Sequence, residues 1–264
     1  MRESDIYQVL ALVLSGSSRT DNSIVLSRKI LEDKMKKQLI LASLLMVCMN
    51  HAMADLAEAP VKHLYVPSGF DSNDSVEVVV AGTFPNPCYS RNTVSVDLKG
   101  DQIAIEITAI RRDTKAACPM MQVPFKEVVS LGNLQGGAYD VVVNNKLNDS
   151  LIISEASSNS IDDHLYAGID QLEQKGPNEY LLKGWRYSNC VDLDRVEVVT
   201  NGKDTLSVLP VMKQLSSFCP MKMMPVTYAV TLDFKTLNTK EPLVHVRTMD
   251  GKSFNTILTL EGQK

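Results

Sequence analysis

Methionine and cysteine are placed where they could do chemistry. Met221, Met223 and Met224 crowd in just after Cys219-Pro220, and Met120-Met121 follow Cys118-Pro119. Thioethers are ligands for Cu(I), and in an extended segment Met221 and Met223 would share a face, as a two-sulfur site needs. The competing use is packing, since methionine fills irregular core space beside a disulfide. The recurrence of Cys-Pro-Met favours packing. Acidic residues offer calcium chemistry: Asp71 with Asp74, Asp162 with Asp163, and Asp192 with Asp194. Calcium takes six to eight oxygens, but Asp, Asn and Ser also form turns and keep strand edges soluble. His63 and His164 each sit in a His-Leu-Tyr triplet and are expected at equivalent places in two first strands. No His-x-x-x-His spacing and no Gly-x-Ser-x-Gly elbow is present, so neither zinc-hydrolase nor serine-nucleophile chemistry has an anchor. Gly132, Gly136 and Gly137 lack the strand-to-helix setting of a phosphate loop and read as turn residues.

The elements that must position these groups are duplicated. His63-Leu64-Tyr65 returns as His164-Leu165-Tyr166, and Gly82 before Cys88 returns as Gly184 before Cys190. Gly100 returns as Gly202, and Cys118-Pro119-Met120 returns as Cys219-Pro220-Met221. Every pair is offset by 101 or 102 residues, which predicts two like modules in tandem. Equivalent modules must each hold their own cysteine pair, so the expected disulfides are Cys88–Cys118 and Cys190–Cys219. Each closes a loop of about 30 residues, worth roughly 3–4 kcal/mol in the chain-entropy account.

Alternation with a period of two fills both modules. Val76, Val78 and Val80 precede Gly82; Val94, Val96 and Leu98 lead to the turn at Gly100; Ile103, Ile105 and Ile107 leave it. Val141 and Val143 precede Asn144-Asn145, and Val244 and Val246 precede Asp250-Gly251, both hairpin signals. Asn201-Gly202 reads as a type I′ turn. Many short turn-bounded strands with few helical windows predict an all-β chain of two tandem β-sandwich domains, residues 55–156 and 157–264. The pattern resembles the immunoglobulin-like and fibronectin-III-like sandwiches of exported bacterial proteins. It departs from antibody domains, whose cysteines are farther apart with a tryptophan between them; here Trp185 precedes its pair. The polar stretch Ser157–Ser160 is the expected linker, short enough to suggest an end-to-end arrangement.

Ahead of the modules, Met35-Lys36-Lys37, the apolar run Leu39–Met49 and Ala52-Met53-Ala54 have the order of a secretory signal over residues 35–54. Residues 1–34 are then an upstream, non-native extension. Val47 before Cys48 argues against a lipid anchor, because the residue preceding a lipidated cysteine is small. A formal net charge of −4 offers no cationic surface for nucleic acid. These readings converge on a periplasmic or secreted, non-enzymatic binding or structural protein of the bacterial cell envelope. It needs no cofactor, its mature chain has no transmembrane span, and its partner is an envelope or extracellular protein or glycan. The expected contact surface is the aromatic loop region of Phe84, Trp185 and Tyr187. The alternative is a periplasmic carrier of copper, calcium or a small ligand.

Overall fold

The computed structural model describes residues 56–112, 117–158, 160 and 162–260. The expected extension and signal segment lie outside the described residues. The first module runs β1 (Leu56–Glu58), β2 (Val61–Tyr65), β3 (Phe70–Asp71), β4 (Val76–Phe84), β5 (Tyr89–Lys99), β6 (Gln102–Arg111), β7 (Val123–Gly132), β8 (Gly137–Val143) and β9 (Leu147–Ser154). The second runs β10 (Leu165–Tyr166), β11 (Gly168–Gln174), β12 (Glu179–Arg186), β13 (Val191–Thr200), β14 (Thr205–Gln214), β15 (Met224–Thr231), β16 (Leu243–Thr248) and β17 (Lys252–Ile257). The described residues are all-β, and each module is a sandwich of one large sheet and one three-stranded sheet.

The two halves share one topology, except that β3 adds to β9 in the first alone among the described residues. The small sheets are β2-β4-β7 and β11-β12-β15, antiparallel throughout. In the large sheets, β5–β6 and β13–β14 are antiparallel hairpins, while β8 joins β6 and β16 joins β14 in parallel. Beyond the parallel stretch the same edge of the hairpin takes a short antiparallel strand, β1 on β6 and β10 on β14. The strand pattern places Val78, Val80, Ile103, Ile105, Val141 and Val143 in the first core. Leu182, Leu206, Val208, Val244 and Val246 fill the corresponding places in the second.

The structure corrects one element of the repeat. Ala59 donates its N–H to the Ile107 carbonyl, and Ala167 does the same to Pro210. Val61 pairs with Gly82 and Ile169 with Gly184, each just before a β-bulge. The first strands therefore correspond at a separation of 108 residues, as Ala59 to Ala167, and not at the 101 of the His-Leu-Tyr triplets. His63 lies within β2, whereas His164 precedes β10, so the two histidines are not equivalent. Gly82 and Gly184 are true equivalents with a steric reason. A Cβ on Gly82 would collide with the Pro60 carbonyl, and one on Gly184 with the Gly168 carbonyl.

Turn chemistry follows the sequence in two places and departs from it in one. Asn144 and Asn145 take φ +49° and +51°, and Asp250 and Gly251 take +64° and +62°, the double positive φ of a type I′ turn. Asn201-Gly202 differs, because only Gly202 has positive φ there. The Asn201 side-chain oxygen instead accepts the N–H groups of Lys203, Asp204 and Thr205, which widens the loop.

The modules pack face to face, in contrast to the end-to-end expectation. Strands β4, β14 and β16 are buried along nearly their whole lengths, which alternation alone would not require. One face of β4 fills its own core. The other, with Val79 and Ala81, joins Tyr65 against Leu243 and Ile257 of the second module. The two strands run oppositely across this contact. Asp74, before β4, meets Arg247 near the end of β16. Ala81, Gly82 and Thr83, near the end of β4, lie beside Glu241, just ahead of β16.

Candidate functional sites

Both disulfides form as expected, Cys88–Cys118 and Cys190–Cys219. Each joins the loop after the small-sheet strand (β4 or β12) to the connection that follows the large-sheet hairpin. The Arg112 N–H bonds to the Cys88 carbonyl in the first module and the Leu215 N–H to the Cys190 carbonyl in the second, closing each hairpin against its loop. Because the modules pack in opposite directions, the disulfide ends lie at opposite ends of the two-module body.

The methionines after these disulfides are not core fillers. Met120 is 97% exposed and Met221 is 85% exposed, with Met121 and Met223 also out. The packing expectation fails because the Cys-Pro-Met segments run as irregular chain ahead of β7 and β15, outside the alternation that would turn them inward. Met224 opens β15 and is half-buried, so only Met221 and Met223 remain freely open. Met212, by contrast, is buried in the second core. Phe218, 79% exposed, and Leu215 add to the apolar tip of the second module.

The three aromatic candidates separate. Phe84 is a core residue, 4% exposed and stacked on Phe125 at 4.5 Å between ring centroids. Tyr187 packs against the second core, and its carbonyl accepts the Lys222 N–H at 2.8 Å. Trp185 is the one left open, 44% exposed on β12.

Two of the acidic residues, Asp74 and Asp162, converge, but on an arginine. Asp74 is fully buried and takes the Arg247 guanidinium through both carboxylate oxygens. Asp162 approaches the same guanidinium at 3.1 Å. The rings of Phe70 and Tyr166 lie at 5.5 and 4.8 Å from its central carbon, completing a cation–π enclosure. Burial, aided by the Asp74 charge, holds the Asp162 carboxyl above its usual range against the pull of the His164 N–H and Arg247. Asp163 caps the linker by accepting from Ser157 and Ser158. Asp192 pairs with Arg186, and Asp194 with Arg195 and Lys213. Among the described residues, no group of three or more His, Cys, Asp or Glu side chains is placed to hold a metal ion.

Beside this pair lies a buried polar cluster that the sequence did not single out. His245, on β16, puts Nδ1 2.9 Å from the Asn255 side-chain oxygen and 3.5 Å from Glu77 Oε1. Asn255 donates through Nδ2 to Glu77 at 2.7 Å, leaving its oxygen to accept from His245. Ser253 also bonds Glu77. His245 Nε2 is buried and has no partner. Burial pushes the Glu77 carboxyl up, but His245, Ser253 and Asn255 together pull it below the ordinary glutamate value. In the sequence, Leu-Val-His-Val-Arg-Thr has the alternation of a half-exposed strand. Its polar positions turn to the module interface instead of water.

What these features define is a pair of β-sandwiches with two apolar, disulfide-tied ends and a polar, partly ionic seam. Residues 78–153, from within β4 to β9, match the model of a family described as the ORF11 beta-sandwich domain. The match covers most of one module and supports its fold. No curated protein and no solved structure matches the chain.

Proposed function

We propose that the chain is a non-enzymatic, exported binding or bracing protein of the bacterial cell envelope that contacts partners through its two disulfide-tied ends. One observation carries the reading: large apolar side chains stand in solvent beside each disulfide, Met120 and Met121 at one end and Phe218, Met221 and Met223 at the other. Exposed apolar groups on a rigidly tied loop are costly to leave in water and are typical of contact sites. The disulfides suit an oxidising compartment. Among the described residues no helix is long and apolar enough to cross a membrane.

The test is photo-crosslinking in the native envelope. A crosslinking residue replaces Met120 or Met221, with exposed Asp97 on β5 as the control position. Defined adducts from either end and none from position 97 support the reading. Absence of adducts from both ends ends it. Native mass spectrometry with Cu(I) is the companion measurement, because thioethers as open as Met221 and Met223 also suit copper carriage; stoichiometric Cu(I) lost on Met221→Leu/Met223→Leu would favour that carrier instead.

A further inference from the structure

A cleft of about 540 Å³ opens where β2, β4 and β7 of the first module meet the segment before β16 and the end of β17 of the second. This volume is within the range of small-molecule sites. Its apolar wall is Tyr65, Ala81 and Ile257, and its charged rim is Lys62, Lys126, His63 and Glu241. Tyr65, Ala81 and Ile257 belong to the apolar contact between the modules, so the cleft opens at the edge of that contact.

The charges at the rim do not balance. His63 Nε2 is 3.6 Å from Glu241 Oε2, so the lining carboxylate already faces an imidazole. Lys126 donates to the Asn255 carbonyl at 2.5 Å, a neutral acceptor that leaves two of its three donor hydrogens unused. Neither Lys62 nor Lys126 meets a carboxylate at ion-pair distance among the described residues. Burial of the ammonium lowers the Lys126 pKa, the effect a bound anion would reverse. An unbalanced pair of ammonium groups above an apolar wall is complementary to a carboxylate with a compact hydrocarbon body.

We propose that this cleft binds a small organic anion, its carboxylate against Lys126 and Lys62 and its apolar body against Tyr65, Ala81 and Ile257. The proposal is independent of the two disulfide-tied ends. Because both modules supply the wall, the ligand adds to the contact between them and raises the temperature at which the protein unfolds.

Calorimetric titration of the full chain with octanoate, octanol and inorganic phosphate tests it. Octanoate is expected to saturate one site. Octanol, with the same body and no charge, is expected to bind about tenfold more weakly or worse, the loss of one charge-assisted hydrogen bond. Lys126→Gln and Lys62→Gln each weaken octanoate by a similar factor, whereas Lys213→Gln, near the end of β14 and outside the cleft lining, changes nothing. Failure of octanoate to saturate overturns the proposal, as does equal binding by the lysine variants. Phosphate binding as tightly as octanoate would remove the apolar part of the site. The octanoate–octanol comparison uses the unaltered protein, so a misfolded variant cannot obscure the result.

Discussion

Arg247 concentrates more consequence than any other side chain at the module interface. It is nearly buried and Asp74 fully so, and the two meet through paired oxygens and nitrogens. Removing one partner of such a pair leaves a buried charge with nothing to oppose it. Arg247→Met is therefore expected to cost about 3–5 kcal/mol, measured by urea denaturation. A cost under about 1 kcal/mol would mean that solvent reaches Asp74 and that the pair resembles a surface ion pair. Glu77 makes a pH-dependent contribution. Its folded pKa lies below the ordinary 4.5, so its stabilisation is present above that value and is lost as the pH falls through the lowered one. Asp162, shifted upward, works in the opposite direction. The clean readout is thus the stability gap between the native protein and Glu77→Gln. That gap should be widest near pH 7 and close in acid as Glu77 protonates; a gap that stays constant would show that Glu77 does not carry the effect.

At the level of elements, the close approaches at Gly82 and Gly184, opposite the bulged strands β2 and β11, shape both small sheets. The Pro60 and Gly168 carbonyls, each two residues ahead of its bulge, occupy the space a side chain would take on the neighbouring strand. Gly184→Ala must displace the Gly168 backbone, and overpacking of this kind typically costs about 1–3 kcal/mol. Thermal unfolding should register the loss. Gly202→Ala, which meets nothing within 4 Å, would by contrast report only the strain of its φ of +71°. If both variants cost the same, the close approach at Gly184 is not the reason for the residue. The type I′ turns at Asn144-Asn145 and Asp250-Gly251 act differently, by setting the register of β8–β9 and β16–β17. Asn144 does a second job. Its side chain accepts the Ile107 N–H and donates to the Ala59 and Ile107 carbonyls, holding β1 where β8 stops.

On the scale of the whole molecule, the interface makes the two sandwiches one body. Tyr65, Val79 and Ala81 would face water in an isolated first module, yet all three are buried in the pair. The Tyr65 hydroxyl, its pKa pushed up to about 12 chiefly by burial, donates to the Glu241 carbonyl across the contact. Residues 55–156 produced alone are therefore expected to self-associate through this bared face. Analytical ultracentrifugation checks the outcome, and a stable monomer over a wide concentration range would count against the interface. Opposed packing also sends the two disulfide ends in opposite directions, which suits contact with two separate partners better than with one flat surface.

Much of this was legible in the chain itself. Strand alternation, the turn pairs and the repeated cysteine frame act over short stretches or by internal repetition, so residue order alone predicts two disulfide-stapled sandwiches and the pairing of their cysteines. The His-Leu-Tyr match misled because three residues can recur by chance, while the real first-strand equivalence has no shared triplet to announce it. Met120 and Met221 looked like packing residues because nothing local says that their segments leave the sheet. Asp74, Asp162 and Arg247 are far apart in sequence, and only folding brings their charges to one point. The face of β16 bearing His245 and Arg247 resembles a solvent face, since polar residues alternate in the same way whether they meet water or one another. Periodicity records which side of a strand is apolar; what covers its other side is decided by a second surface whose position depends on the fold of the whole chain.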